Sequence, residues 1–127
     1  MNYKELRVGN LCEYDGKIFV IKTVANKIIS ADRGKGLVEF DPSELTPIKL
    51  SEKWMLKLGF EVYSHCNGRA IKFNHKTNAR VSFTKAGQSG YHENGFIYKG
   101  QEIRDCEYVH LLQNLYFTLT GEELCTQ

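Results

Sequence analysis

Residues 8–24 read VGNLCEYDGKIFVIKTV and predict a β-hairpin. Two runs rich in β-branched and aromatic residues flank Asp15-Gly16, and this turn is a strong hairpin signal because both of its positions need a positive φ. Short strands at 27–30 and 37–40 follow, with a Gly-rich turn between them. Four or five short strands in fifty residues favour a small curled sheet, and we expect a half-open barrel of the SH3-like type. We expect its inner face to contain apolar side chains: Leu11, Phe19, Ile21, Ile28, Val38 and Phe40.

A second, mixed region follows this barrel. Ser51 is a suitable N-cap for a helix over 52–58, and Gly59 is a natural stop. Beyond it, runs that alternate apolar and polar residues predict an antiparallel meander with one buried face. These runs lie at 60–63, 69–73, 79–83 and 96–99, with hairpin turns expected at Asn67-Gly68 and Asn94-Gly95.

The last apolar stretch predicts a helix that packs on this meander. Val109, Leu112, Tyr116 and Leu119 recur at spacings of three, four and three, and Leu111 and Leu115 widen the stripe. Asp105 is the expected N-cap and Gly121 the stop. The predicted fold is therefore α+β, with a small SH3-like β-barrel subdomain over 1–48, followed over 49–127 by a linking helix, an antiparallel β-meander and a C-terminal α-helix.

Composition excludes several classes of protein. The chain has 127 residues, of which 42% are hydrophobic and 12% aromatic, so it is long enough for one domain or two small units with a core. It contains no run of about 18 apolar residues and no apolar segment near Met1. The sequence therefore predicts no membrane span and no secretory signal. The four cysteines form no C-x-x-C pair, so we expect free thiols in a reducing cytoplasm.

The charge distribution is more informative than the net charge of +2. Residues 51–100 carry 8 basic and 3 acidic side chains, whereas residues 101–127 carry 1 basic and 5 acidic ones. Basic groups neutralise phosphates and exposed aromatic rings stack on bases, so the basic middle is a candidate contact surface for nucleic acid or for a partner. Its candidate residues are Arg69, Lys72, Lys76, Arg80, Lys85, Tyr91 and Tyr98. The alternative interpretation is that Phe73 and Phe83 are core residues and the cations are only solvated.

Enzyme motifs are weak in this sequence. Cys106 and His110 are four residues apart and would share a face of the last helix, but a mid-helix nucleophile lacks an adjacent oxyanion hole. No group of residues has the spacing of a metal site, and the Gly-rich turns are too short for a phosphate loop. We therefore expect no catalytic residue, no metal and no cofactor.

Three stretches resemble a family of small phage and prophage proteins. Residues 108–124, YVHLLQNLYFTLTGEEL, are similar to the C-terminal signature YVHxLQNLYFxLTGEEL of that family. Residues 5–10, ELRVGN, resemble its opening ELRIGN, and residues 47–60 resemble its middle, PIPLTEEWLLKFGF. The region between Tyr63 and Tyr98 matches no pattern of the family, so individual function is expected to diverge there.

The resemblance implies a small phage-derived protein inside a host bacterial cell, and it implies no particular reaction. Short phage proteins of this kind include inhibitors of host defence, anti-CRISPR proteins among them. The sequence hypothesis is thus a non-catalytic binding protein that inhibits an RNA-guided host nuclease by contacting the enzyme or its guide RNA. The alternative is a nucleic-acid-binding accessory protein with no protein target.

Overall fold

The computed structural model describes residues 3–25, 27–65, 68–74, 82–85, 96–98, 101–103 and 106–126, with only the backbone described between 62 and 103. The chain divides into two compact units. The first comprises Met1–Lys49 and Tyr108–Leu124, and the second comprises Leu50–Glu107 and Cys125–Gln127. Strands and helices are both present, which confirms the α+β class.

The first unit contains a four-stranded antiparallel sheet in the order β1-β2-β3-β4. Asp15 and Gly16 have φ values of 49° and 73°, as the predicted two-residue turn between β1 and β2 requires. One register shift, between Ile21 and Thr23, places a bulge in β2. The strands span Leu11–Tyr14 (β1), Lys17–Ala25 (β2), Ile28–Asp32 (β3) and Leu37–Phe40 (β4).

The sheet is not a closed barrel. After β4, a 3₁₀ turn at Pro42–Glu44 leads the chain back toward β1, where Glu13 and Thr46 form one antiparallel bridge. The Glu13 N–H donates to the Thr46 carbonyl at 3.0 Å, and the Thr46 N–H donates to the Glu13 carbonyl at 2.8 Å. This bridge partly covers the outer edge of β1.

The core of the first unit follows the predicted strand periodicity in β1 and β2 but not in β3 and β4. Ile28 and Val38, both expected inside, are exposed, and Ile29 and Ala31 are buried instead. Lys27, with φ 65°, lies in the turn between β2 and β3. Ile28 pairs with Ala25 next to this turn, and the following residue, Ile29, faces the core. Val38 pairs with buried Ala31 but stays exposed, because β4 is an edge strand of the sheet. The core cluster consists of Leu6, Cys12, Phe19, Ile21, Ile29, Ala31, Phe40 and Leu45.

The second unit contains α1 (Glu52–Lys57) and a five-stranded antiparallel sheet in the order β5-β6-β7-β8-β9. Ser51 is the predicted N-cap, and its hydroxyl accepts from the Trp54 N–H at 3.3 Å. Gly68 pairs with His65, so it lies inside β6 and not in the predicted turn; Asn94-Gly95 lies outside the described residues. The strands span Glu61–His65 (β5), Gly68–Asn74 (β6), Ser82–Lys85 (β7), Phe96–Tyr98 (β8) and Gln101–Ile103 (β9).

The C-terminal helix, α2 (Val109–Thr120), packs on β1 and belongs to the first unit, whereas the sequence predicted that it packs on the meander. It also begins later than predicted, with Tyr108 as its N-cap; Asp105 lies outside the described residues. The backbone before it is extended, because residues 107–109 pair with residues 48–50. Gly121 ends the helix in the left-handed conformation, as predicted.

Candidate functional site

The first and last stretches that resemble the phage family contact each other. The Arg7 guanidinium donates to the Asn114 side-chain oxygen at 2.9 Å and forms an ion pair with Glu123. Asn10, which is fully buried, donates to the same Asn114 oxygen at 2.9 Å and accepts from the Arg7 N–H at 2.8 Å. The guanidinium also lies 4.0 Å from the centre of the Phe117 ring.

Polar side chains of both stretches thus bind residues 5–10 to α2 and to the segment after it. Asn114 completes the network by donating to the Glu5 carbonyl at 2.6 Å. Buried polar groups need such partners, since an unpaired one costs about 1–3 kcal/mol. The signature residues in this network hold the first unit together and are satisfied by the protein itself.

His110 is the buried ionisable group of this region. Its Nε2 atom lies 3.6 Å from a carboxylate oxygen of Glu5, and neither ring nitrogen has a hydrogen-bond partner among the described residues. Its ring stacks on Tyr108 with 6.0 Å between centroids. Burial lowers the pKa of His110, although Glu5 opposes that shift. The imidazole is therefore mainly neutral at neutral pH.

The Cys106–His110 arrangement considered from the sequence has a different local structure. Cys106 precedes α2, so the two residues do not occupy one helical face. Burial also raises the pKa of the Cys12 thiol to about 11, which keeps it protonated at neutral pH. Among the described residues there is no cluster of three or more His, Cys, Asp or Glu side chains able to hold a metal ion.

The predicted basic surface falls only partly on described residues. Arg69 and Lys72 lie in β6, Lys85 in β7 and Tyr98 in β8. Lys76, Arg80 and Tyr91 lie outside the described residues.

The register separates the described members of this set. Lys72 pairs with Thr84, whereas the neighbouring pair is Phe73 with Phe83, and Phe83 pairs with Tyr98. Because successive strand positions alternate between faces, Arg69, Lys85 and Tyr98 share one face with Phe73 and Phe83, and Lys72 lies on the other. Lys72 is directly opposite Glu61, and its row continues through Thr84 and Ile97 to Glu102. The described positions therefore do not form one basic surface.

A second candidate site lies on the outer face of the first sheet. It is an open groove of about 300 Å³, lined by Ile18, Val20, Lys22, Asp32, Arg33 and Gly34. Val20, Asp32 and Leu37 follow one another across β2, β3 and β4, so Leu37 lies beside the groove with Asp32 between it and Val20. Leu37 is 64% exposed and Ile18 is also exposed. The groove thus joins an aliphatic floor to a charged wall.

Asp32 shapes the charged wall of this groove. Its Oδ1 atom accepts hydrogen bonds from the N–H groups of Gly34, Lys35 and Gly36, at 2.7, 3.1 and 3.2 Å. These bonds, led by the one from Gly34, lower the pKa of Asp32, and the nearby Lys22 charge adds to the effect. The carboxylate is thus ionised and holds the loop between β3 and β4 in a fixed turn.

Sequence patterning alone did not identify the groove. Ile18 and Val20 belong to a run of apolar residues in β2, and such a run does not reveal which members face outward. Lys22 occupies the bulge, whose position depends on how β2 pairs with β3. The signal that could have indicated the groove is strand alternation: Phe19 and Ile21 face inward, so Ile18 and Val20 between and beside them face outward.

Comparisons with known proteins identify no relative: no protein-family model, curated protein sequence or solved structure matches the chain. Within the described ranges, no helix is both long and apolar enough to cross a membrane.

Proposed function

We propose that this protein acts without catalysis, by binding another macromolecule through the outer face of its first sheet. The observation that supports this is the aliphatic surface that exposed Ile18 and half-buried Val20 form in the groove, with exposed Leu37 on the far side of Asp32. Exposed apolar residues that adjoin one another on a strand surface are typical of contact sites. The first-unit scaffold beneath them is an SH3-like half-open barrel in this proposal.

The resemblance to phage proteins narrows the proposed partner. The protein would act in the cytoplasm of a bacterial host, where it inhibits a defence system. In its most concrete form it is an anti-CRISPR protein that binds an RNA-guided nuclease or its guide RNA. The network of Arg7, Asn10 and Asn114 supports a structural role for the signature residues, because these side chains bind one another and hold the first unit together.

The second candidate function is binding of nucleic acid with no protein target. The charge of +5 carried by residues 51–100 favours it. Its contact residues would be the predicted basic set, from Arg69 to Lys85, together with Tyr91 and Tyr98.

Affinity capture of the tagged protein from host cells, with and without nuclease treatment, separates the two functions. A protein partner that survives nuclease treatment is expected for the proposed function. Leu37→Glu should abolish its capture, because a carboxylate would replace a leucine that is 64% exposed beside the groove. Val8→Glu is the matched control, since Val8 is 57% exposed and lies in the turn before β1. Recovery of nucleic acid alone, or equal capture by Leu37→Glu, contradicts the proposal.

A further inference from the structure

We propose that the groove on the first sheet binds an acidic, extended protein segment that packs an aliphatic side chain on Ile18 and Val20. This inference rests on the proposed function and adds the chemistry of the partner. It depends on three properties of the groove: its floor, its unpaired cations and its position on a strand surface.

The floor selects for a protein segment over nucleic acid. Ile18 and Val20 form the floor, and no aromatic side chain is among the described residues that line the groove. Bases bind single-stranded recognition sites largely by stacking on aromatic rings, which this surface does not offer. An aliphatic side chain gains more here, at about 25 cal/mol for each Å² of apolar surface that it buries.

The charges beside the floor select for an acidic segment. Lys22 and Arg33 line the groove, and neither forms a hydrogen bond or an ion pair with a described residue. Asp32 is the carboxylate of the groove lining, and three backbone N–H groups already bind it. The Lys22 charge acts on Asp32, but neither cation is held in a hydrogen-bonded pair by a described residue, so both can donate to a carboxylate of the partner.

The other charges of the outer face fix which end of the groove receives that carboxylate. Glu13 is opposite Ile18 on β1, and Glu39 lies two positions beyond Leu37 on β4. Both would repel an acidic group at their ends of the row, so the favoured position is beside Lys22 and Arg33. An extended segment suits this surface because its side chains alternate with the same spacing as those of the strands below.

Peptide binding to the intact protein, followed by backbone amide NMR, tests this inference. The probe is a nine-residue peptide in which leucine alternates with glutamate. One reference peptide has lysine in place of glutamate, and another has serine in place of leucine. We expect only the first peptide to shift the amide signals of residues 18–22 and 32–37, with an affinity that falls as salt rises. The lysine peptide binding equally well, or shifts confined to other residues, overturns the inference.

Charge-reversed variants give the second arm of the test. Lys22→Glu with Arg33→Glu should weaken binding of the acidic peptide by about tenfold or more. Lys17→Glu with Lys27→Glu is the matched control, because both lysines are exposed at the hairpin turns of the same sheet. Equal weakening by the two pairs contradicts the inference. If the acidic peptide does not bind but Leu37→Glu still abolishes capture from host cells, only the inferred chemistry of the partner is wrong. If Leu37→Glu does not reduce capture, the proposed function itself is wrong.

Discussion

The side-chain oxygen of Gln113 accepts a hydrogen bond from the backbone N–H of Leu11, at 2.9 Å, across 102 positions of sequence. The amide nitrogen of Gln113 donates to the Gly9 carbonyl at 3.2 Å and to the Leu124 carbonyl at 3.0 Å. One fully buried side chain of α2 therefore joins the start of β1 to the segment that follows the helix.

Replacement of Gln113 by Leu should be strongly destabilising. It keeps much of the side-chain volume but leaves three backbone groups without this partner, and each buried unpaired group costs about 1–3 kcal/mol. We expect the free energy of unfolding to fall by at least about 2 kcal/mol in urea denaturation. Thr118→Ala is the control, since Thr118 is exposed on the same helix and should have little effect. Similar midpoints for the two variants would mean that the Gln113 bonds contribute little.

Leu112→Ala should destabilise the protein by about 2–5 kcal/mol, as is usual when a buried leucine is truncated. Leu112 is 1% exposed on the face of α2 that the first unit buries. Leu119→Ala makes the same chemical change at a position that is 36% exposed, and it should cost much less. Leu115, which is only partly buried, should fall between them. Thermal or urea melts that rank the three differently would contradict this assignment of the buried face.

Stability should decrease as the pH falls below about 6.5. Burial lowers the pKa of His110 in the folded protein from 6.5, so the unfolded chain binds more protons in this range and gains stability relative to the folded one. His110→Phe should flatten the dependence of unfolding free energy on pH between 7.5 and 5.5. Glu5→Gln removes the nearby carboxylate that opposes the shift, so it should steepen that dependence. Parallel pH curves for the wild type and His110→Phe would show that His110 does not contribute.

The cysteines should be dispensable for binding. Cys12 and Cys106 are buried and Cys125 is exposed, so alkylation of the folded protein should modify Cys125 first among these three. Replacing all four, including Cys66, with residues of similar volume should cost about 1–3 kcal/mol of stability at buried positions and leave partner capture intact. Mass spectrometry of the alkylated peptides and capture by the folded variant measure the two outcomes. Loss of capture in a variant that is still folded would assign a cysteine to the site.

Charge reversal tests the second candidate function, nucleic-acid binding. Changing Lys72, Lys76 and Arg80 to Glu should abolish binding without unfolding the protein, and wild-type binding should weaken steeply with salt. Arg69→Glu with Lys85→Glu is an informative comparison, because both positions lie on the face opposite to Lys72. Titration of labelled single-stranded RNA measures the affinities. Full affinity in the folded triple variant would exclude these three residues from a nucleic-acid site.

Local signals in the sequence predicted the elements better than the contacts between them. The Asp15-Gly16 turn, the Ser51 cap and the Gly121 stop depend on backbone preferences of a few residues, and all three are confirmed. The position of α2 on β1 depends on hydrogen bonds between residues about a hundred positions apart, which periodicity does not encode. In the sequence, nothing distinguishes Gln113 from an ordinary polar residue on the exposed side of a helix.

The same limit applies to the candidate sites. The basic composition of residues 51–100 was visible at once, but strand register decides which cations share a face. The groove depends on the bulge at Lys22 and on the turn that Asp32 holds, and both arise from pairing between strands.

Residues 48–50 and 107–109 run side by side, with the Val109 N–H donating to the Ile48 carbonyl at 2.8 Å and the Leu50 N–H to the Glu107 carbonyl at 2.9 Å. Residues 50–107, the main part of the second unit, are therefore an insertion between two neighbouring backbone positions of the first unit. Such an insertion tolerates changes in length and sequence, because its two ends stay fixed whatever lies between them. During synthesis on the ribosome, the first sheet can contact α2 only after the whole insertion has been made. Changes in the length or sequence of residues 63–98 therefore need not disturb the contacts between β1 and α2.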